Sequence, residues 1–247
     1  LPTVSGATDL CGTATISLTG SGTPDGTTPW ISSNTGIATV DNAGNVTGVS
    51  AGTTTITYTD VNGCQASQIV TVNAIPTISG GTPLCVNSTV LLTGSGTPDG
   101  TTPWSTSSPA VATVSAGGLV TAVSGGTTTI TYMDDNGCQN TETITVNDNP
   151  TISGNAPICG TGTVQLTGSG TPNGTTPWSS SNAGVATVNG TGLVTGVSAG
   201  TATITYLDIN GCQVTATVTI NALPTISGNA PICIGASLQL TGSGIPD

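Results

Sequence analysis

The 247 residues include no lysine, no arginine, no histidine and no phenylalanine. Without lysine or arginine nothing can neutralise phosphates, so nucleic acid is excluded as a partner. The net charge of −11 also repels anionic membrane surfaces. Without histidine or lysine the usual general bases, and the Ser–His and Cys–His nucleophile systems, cannot be built. A Lys–Asn isopeptide crosslink is excluded on the same ground. The acids are ten Asp and one Glu, Glu142, and no Asp-Thr-Gly or Asp-Ser-Gly stretch suggests an aspartic dyad. No enzymatic activity, catalytic residue or cofactor is expected. No apolar run approaches the length of a membrane span, so no membrane insertion is expected. No signal peptide opens the chain, and Leu1 is expected to be an internal or mature start.

What is present is repetition. Trp30, Trp104 and Trp178 lie 74 residues apart, as do Tyr58, Tyr132 and Tyr206, and Pro2, Pro76, Pro150 and Pro224. The stretch PWSTSSPAVATVSAGGLVTAVSGGTTTITYMDDNGC, from Pro103 to Cys138, has near-copies starting at Pro29 and Pro177. A fixed period of this size marks a tandem array. The units read as 1–74, 75–148 and 149–222, with 223–247 the incomplete start of a fourth. Asp247 falls where Asp25, Asp99 and Asn173 sit in the earlier copies. A longer native protein is therefore expected. The acids are spread unevenly, and the third unit carries only Asp208. Charge thus reads as a solubility device.

Within a unit the pattern is short strands separated by turns. In the second copy these are Thr77 to Ser79, Thr89 to Thr93, Trp104 to Thr106, Val111 to Val114, Leu119 to Val123, Thr127 to Met133 and Thr141 to Val146. Gly117-Gly118, Gly125-Gly126 and Asn136-Gly137 turn the chain between them. Period two and abundant Thr and Val argue for strand over helix. Ile130 and Tyr132 share one face, with Thr129 and Thr131 on the other. Seven such strands predict an all-β sandwich with an aliphatic inside and a threonine outside. Trp30, Trp104 and Trp178 are expected in the core beside Tyr58, Tyr132 and Tyr206, with a ligand-stacking platform as the competing role for each Trp.

WSSSNAGVATVNGTGLVTGVSAGTATITY, from Trp178 to Tyr206, resembles the bacterial immunoglobulin-like group 2 domain. That family's pattern runs Trp-Ser-Ser-Ser-Asn, Val-Ala-Thr-Val, Gly-x-Val-Thr-Gly-Val, then Ala-Gly-Thr-Ala-Thr-Ile-Thr. All three complete copies carry it. The resemblance implies an Ig-like sandwich, no shared catalytic residues, and a setting in surface or secreted repeat proteins such as adhesin stalks. The cysteines, in contexts such as Asn-Gly-Cys, are additions to that pattern.

The seven cysteines obey the period: Cys11, Cys85, Cys159 and Cys233 form one series, and Cys64, Cys138 and Cys212 the other. No CxxC pair and no His completes a zinc site. Two cysteines per small, loop-rich unit predict disulfides in an oxidising compartment. In an Ig-like sandwich successive strands alternate in direction. Cys85, after the first strand, then lies at the far end of its unit, and Cys138, after the sixth, at the near end. A pair within one unit would be about one strand length apart, ~17–20 Å, beyond disulfide reach. Neighbouring units instead bring Cys11 toward Cys138 and Cys85 toward Cys212. Cys64, Cys159 and Cys233 are expected to pair outside this segment.

Metal is a weaker possibility. Asp60, Asp134 and Asp208 each open an Asp-x-Asn-Gly turn, but calcium needs about six oxygens, and Asp and Asn also serve turns for their own backbone. No metal is expected, with these three the calcium candidates. The sequons at Asn45, Asn87, Asn173 and Asn189 fall at different unit positions and carry no assigned role.

Two readings of function follow. In the first the chain is a structural segment of a long extracellular filament or cell-surface adhesin stalk, an elongated rod meeting other copies of itself. In the second each unit binds a carbohydrate or protein on a host surface. Binding loops should vary or carry aromatic and charged groups. TGSGTPDGTTPW is repeated almost unchanged and holds no aromatic besides its Trp, which favours the structural reading.

Overall fold

The computed structural model describes residues 1–81, 83–228 and 230–243; Asp247 lies outside them. Two compact units divide the chain, Leu1–Val146 and Asn147–Asp247. The first holds two copies of the repeat, the second the third copy and the start of the fourth. No α-helix occurs among the described residues, so none is long and apolar enough to cross a membrane.

The first copy consists of β1 (Val4–Gly6), β2 (Asp9–Cys11), β3 (Thr15–Gly20), β4 (Trp30–Ser32), β5 (Ala38–Val40), β6 (Asn45–Gly48), β7 (Gly52–Thr59) and β8 (Gln65–Asn73). They form two sheets, β1-β3-β6-β5 and β2-β8-β7-β4. Strand β2 runs parallel to β8, placing Leu10 opposite Val72 and Cys11 opposite Asn73. The other pairings in this copy are antiparallel. The opening strand therefore serves both sheets. It pairs with β3 as β1, then crosses to β8 as β2 without reversing direction. Gly6 makes the crossing: its φ is +135°, and a Cβ there would sit 2.6 Å from the Ser17 carbonyl oxygen.

Sequence periodicity missed the parallel strand. The segment around Cys85 reads as a connection, yet Leu84–Cys85 is a strand beside Gln139–Asn147, as Ile158–Cys159 is beside Gln213–Asn221. Two or three residues are too few to display alternation, and the partner is supplied from more than sixty residues away. The expected strand from Thr89 to Thr93 is also divided. Thr89–Leu91 pairs with Leu119–Ala122, while Thr93–Gly94 pairs with Ile78–Ser79. Leu92, at the break, is buried in the core.

Each copy has its own core between its sheets. In the first it gathers Leu10, Leu18, Trp30, Val46, Ile56, Tyr58, Val70 and Val72, and the equivalent residues fill the other two. The longest hairpin sets the register: in the second copy Thr128 faces Ile144 and Ile130 faces Glu142. Outward, Thr127, Thr129 and Thr131 lie opposite Thr145, Thr143 and Thr141. The third copy repeats this with Thr201, Thr203 and Thr205 opposite Thr219, Thr217 and Thr215. The inner face is not wholly aliphatic, because Thr54 and Thr128 are buried on it. In the first copy β1, β2, β4 and β5, which border the two sheets, are three residues long. Lysine is absent, but shortness is itself a way to blunt an edge.

Candidate functional site

The aromatic pair is the centre of each copy. Trp104 lies directly opposite Tyr132 across adjacent strands, with ring centroids 4.6 Å apart and planes tilted by 45°. Trp30–Tyr58 and Trp178–Tyr206 repeat the arrangement at 4.8 and 4.6 Å. Such tilted pairs add about 0.5–1.5 kcal/mol beyond their buried area. Glycine makes room on both sides. A Cβ on Gly20 or Gly168 would lie 2.6 or 2.5 Å from the Tyr ring of its copy, and Gly94 faces Tyr132 in the same way. Gly44, Gly118 and Gly192 lie against the Trp ring. The Trp residues are 6–9% exposed, which leaves little ring surface on which a sugar could stack. Burial, then the nearby Asp134 and Asp135 carboxylates, raise the Tyr132 pKa; burial, then Asp208, raise that of Tyr206.

The Ser-rich run after each Trp builds a polar knot that sequence reading did not anticipate. The buried Thr128 hydroxyl meets those of Thr106 and Ser107 at 2.9 and 3.2 Å and accepts the Ser108 amide at 3.0 Å. Ser107 Oγ also accepts the Thr129 amide. The first copy does the same with Thr54, Ser32, Ser33 and Asn34. The third has Ala202 at that position, and Ser180 Oγ instead donates to the Ala186 carbonyl at 2.7 Å. A second latch recurs in all copies: Ser50, Ser124 and Ser198 donate to the carbonyls of Gly36, Ala110 and Gly184. The signal was present in two serine positions that do not vary among the copies, Ser33, Ser107 and Ser181, and Ser50, Ser124 and Ser198.

The three calcium candidates sit in turns that use their carboxylates. Asp134 Oδ1 accepts the amides of Asn136 at 3.1 Å and Cys138 at 2.8 Å. Asp208 does the same for Asn210 and Cys212, and Asp60 for Asn62 and Cys64. Gly137 takes φ +76° while Asn136 keeps a negative φ. The turn is thus a longer loop closed by Asp134, and not the two-residue form in which both Asn and Gly are left-handed. The consequence concerns cysteine: each Asp holds the amide of the Cys that ends its turn. Among the described residues no three acidic or cysteine side chains cluster as metal ligands.

The cysteines divide into bonded and free. Cys11 and Cys138 form a disulfide with Cα atoms 5.5 Å apart and 127 residues between them in sequence. It joins the end of β2 in the first copy to the Asp134 turn of the second. Cys64 cannot reach Cys11. It precedes the first residue of β8 while Cys11 lies beside the last, about 31 Å away at ~3.4 Å per residue. Cys85 and Cys212 are also disulfide-bonded. Cys64, Cys159 and Cys233 are free thiols, the first half-buried and the others exposed.

One cleft recurs in every copy. In the first it is lined by Leu18, Gly20, Pro24, Trp30, Ala43 and Tyr58, with a volume of about 290 Å³. Its equivalents in the second and third hold about 210 and 230 Å³. Beside it the constant loop is fixed by carboxylates. Asp99 Oδ2 accepts from the Thr102 amide at 2.9 Å and from the Thr101 hydroxyl at 2.7 Å. Asp25 does so with Thr28 and Thr27. These bonds, led by the Thr102 and Thr28 amides, hold both carboxyls below the usual carboxylate range. The cleft carries no charged side chain, and the sequence signalled it only through the sameness of its loop.

The sequence profile of the bacterial Ig-like domain (group 2) matches three times, over residues 7–72, 66–146 and 151–219. No curated protein matches the chain. Among solved structures, invasin, a bacterial integrin-binding protein, is similar over 93% of this chain and 60% of its own, at 19% identity and a TM-score of 0.39. An intimin mutant from EHEC O157:H7 is similar over 34% of this chain and 51% of its own, at 23% identity and 0.27. Surface layer protein SbsC, domains 1–6, is similar over 97% of this chain and 56% of its own, at 15% identity and 0.27. The chain spans between half and three-fifths of each of these chains, and the likeness concerns the fold alone.

Proposed function

Because the chain belongs to the bacterial Ig-like domain (group 2) family, we propose that it is a structural, non-enzymatic segment of a long extracellular filament or cell-surface adhesin stalk. The observation that carries this reading is the Cys11–Cys138 bond. It clamps two successive copies where the fold alone requires only a short linker. Such bonds persist in oxidising compartments, which supports an extracellular or cell-surface location. Applied one period on, the same spacing pairs Cys85 with Cys212. Cys64, Cys159 and Cys233 then pair with copies beyond this segment. The segment meets other copies of itself through contacts repeated every 74 residues, and the Asp turns need no calcium.

The recurring cleft favours a second reading, a binding module for a surface carbohydrate or protein. The covered Trp faces and the absence of charge in the cleft weigh against it. Negative-stain images of the three-copy chain, with and without reductant, test the proposal. Stiff rods that loosen on reduction are expected, and separate flexible beads in both conditions would overturn it. Sedimentation at high concentration tests self-association, which a purely monomeric chain would refute.

A further inference from the structure

The chain has five Asn-Gly dipeptides, at Asn62, Asn136, Asn173, Asn189 and Asn210. In such a pair the glycine amide can attack the preceding side-chain carbonyl, because no Cβ obstructs the approach. Folded structure decides which pair is free to do so. Gly63, Gly137 and Gly211 each donate that amide to the carbonyl of the Asp three residues before, at 2.9, 3.0 and 3.1 Å. Asn189 is held by its side chain, whose Oδ1 accepts the Thr191 hydroxyl and the amides of Thr191 and Leu193 at 2.8, 3.0 and 2.9 Å. Asn173 differs from all four. Its side chain makes no hydrogen bond to a described residue, the Gly174 amide makes none either, and both residues are exposed.

The position gives the difference a meaning. Asn173 stands where the other copies have Asp25 and Asp99, and those carboxylates organise the loop by accepting from the two threonines that follow. Thr175 and Thr176 are present in the third copy, but the carboxylate is not. Gly174 takes φ +58°, whereas Gly26 and Gly100 do not enter that region.

We propose that Asn173 is a site of spontaneous deamidation, by which the third copy acquires the carboxylate that the first two encode. The Gly174 nitrogen forms a bond to the Asn173 side-chain carbonyl carbon and loses its proton, and the amide nitrogen leaves as ammonia. Water then opens the resulting succinimide to aspartate or its isoaspartyl isomer. The balance is one water consumed and one ammonia released, with no oxidant or catalyst. The aspartyl product has the acceptor geometry of Asp25 and Asp99 and takes up the Thr175 and Thr176 donors.

The test is incubation of the whole folded chain in warm, mildly alkaline buffer. An Asp-specific or chymotryptic digest is then mapped by mass, with isoaspartate detected enzymatically. Asn173 is expected to gain one mass unit roughly fivefold or more faster than any of the other four, since each of those must first break at least one hydrogen bond. In denaturant with reductant all five should react at similar rates. Equal rates in the folded chain would overturn the proposal. So would the same preference for Asn173 in the unfolded chain, because protection by the fold would then play no part. Asn173→Asp is expected to keep or raise the melting temperature, and a fall would refute the recapture of the carboxylate.

Discussion

Cys11 and Cys138 stand with their Cα atoms 5.5 Å apart, although 127 residues of chain separate them. The contact exists because β2 and β8 end together at one end of the first copy. Asp134 then fixes the backbone amide of Cys138 from its own turn. A non-reducing chymotryptic map should contain Cys11 linked to Cys138; trypsin has no site in this chain. Closing so long a loop restricts the unfolded chain, and Cys11→Ser should cost about 4–5 kcal/mol by the loop-entropy estimate. Calorimetry with and without reductant would measure it. Recovery of a Cys11–Cys64 peptide would refute the pairing.

Gly94 is predicted to tolerate no side chain. Its backbone φ is ordinary, so the obstacle is the Tyr132 ring lying where a methyl group would go. Gly94→Ala should destabilise the second copy by about 1–3 kcal/mol, the usual range for overpacking. A change within about 0.5 kcal/mol, as at an unconstrained surface site, would show that the ring yields.

The Asp-x-Asn-Gly turns are predicted to be independent of calcium. The Asp134 oxygen that would coordinate an ion already accepts two amides, and the side chain is 5% exposed. Melting temperature should not respond to calcium or chelator. Asp134→Ala should cost about 1–3 kcal/mol by leaving buried amides unpaired. A large rise in melting temperature on adding calcium, reversed by chelation, would contradict both statements.

Stability should decline at high pH. The folded-state pKa values of Tyr132 and Tyr206 are raised above the ordinary tyrosine value, chiefly by burial. Their contribution is fully present below that value. It is lost as pH climbs through the raised folded-state pKa, because the unfolded chain releases its phenolic protons first. Denaturant midpoints measured on either side of pH ~10 would show the decline. Phenolate absorbance from these two residues appearing at the pH of free tyrosine would contradict it.

Several features were legible in the residues themselves. The 74-residue period was visible in Trp30, Trp104 and Trp178. The inward pairing of Ile130 with Tyr132 and the outward row of Thr127, Thr129 and Thr131 followed from alternation along one strand. These depend on residues close together in sequence, where strand geometry alone assigns a face. What escaped depends on distant chain. Leu10 and Cys11 form a strand only because Val72 and Asn73 arrive beside them. The buried Thr128 hydroxyl is satisfied only by Thr106, Ser107 and Ser108 from across the sheet. Glycine was read as a turn former, yet Gly94 is required because Tyr132 lies over it.

The sequence alone determined the repeat, the all-β character and the chemistry that is missing, since composition and period do not depend on which strands meet. Only the tertiary structure decided that the opening strand divides between two sheets and that Asp134 holds Cys138 in its turn, whereas the meeting of Cys11 with Cys138 already followed from strand direction. Those outcomes rest on long-range pairing, where the same residue types pair equally well in several registers. A choice among them is made by the fit of Trp, Tyr and glycine in a closed core.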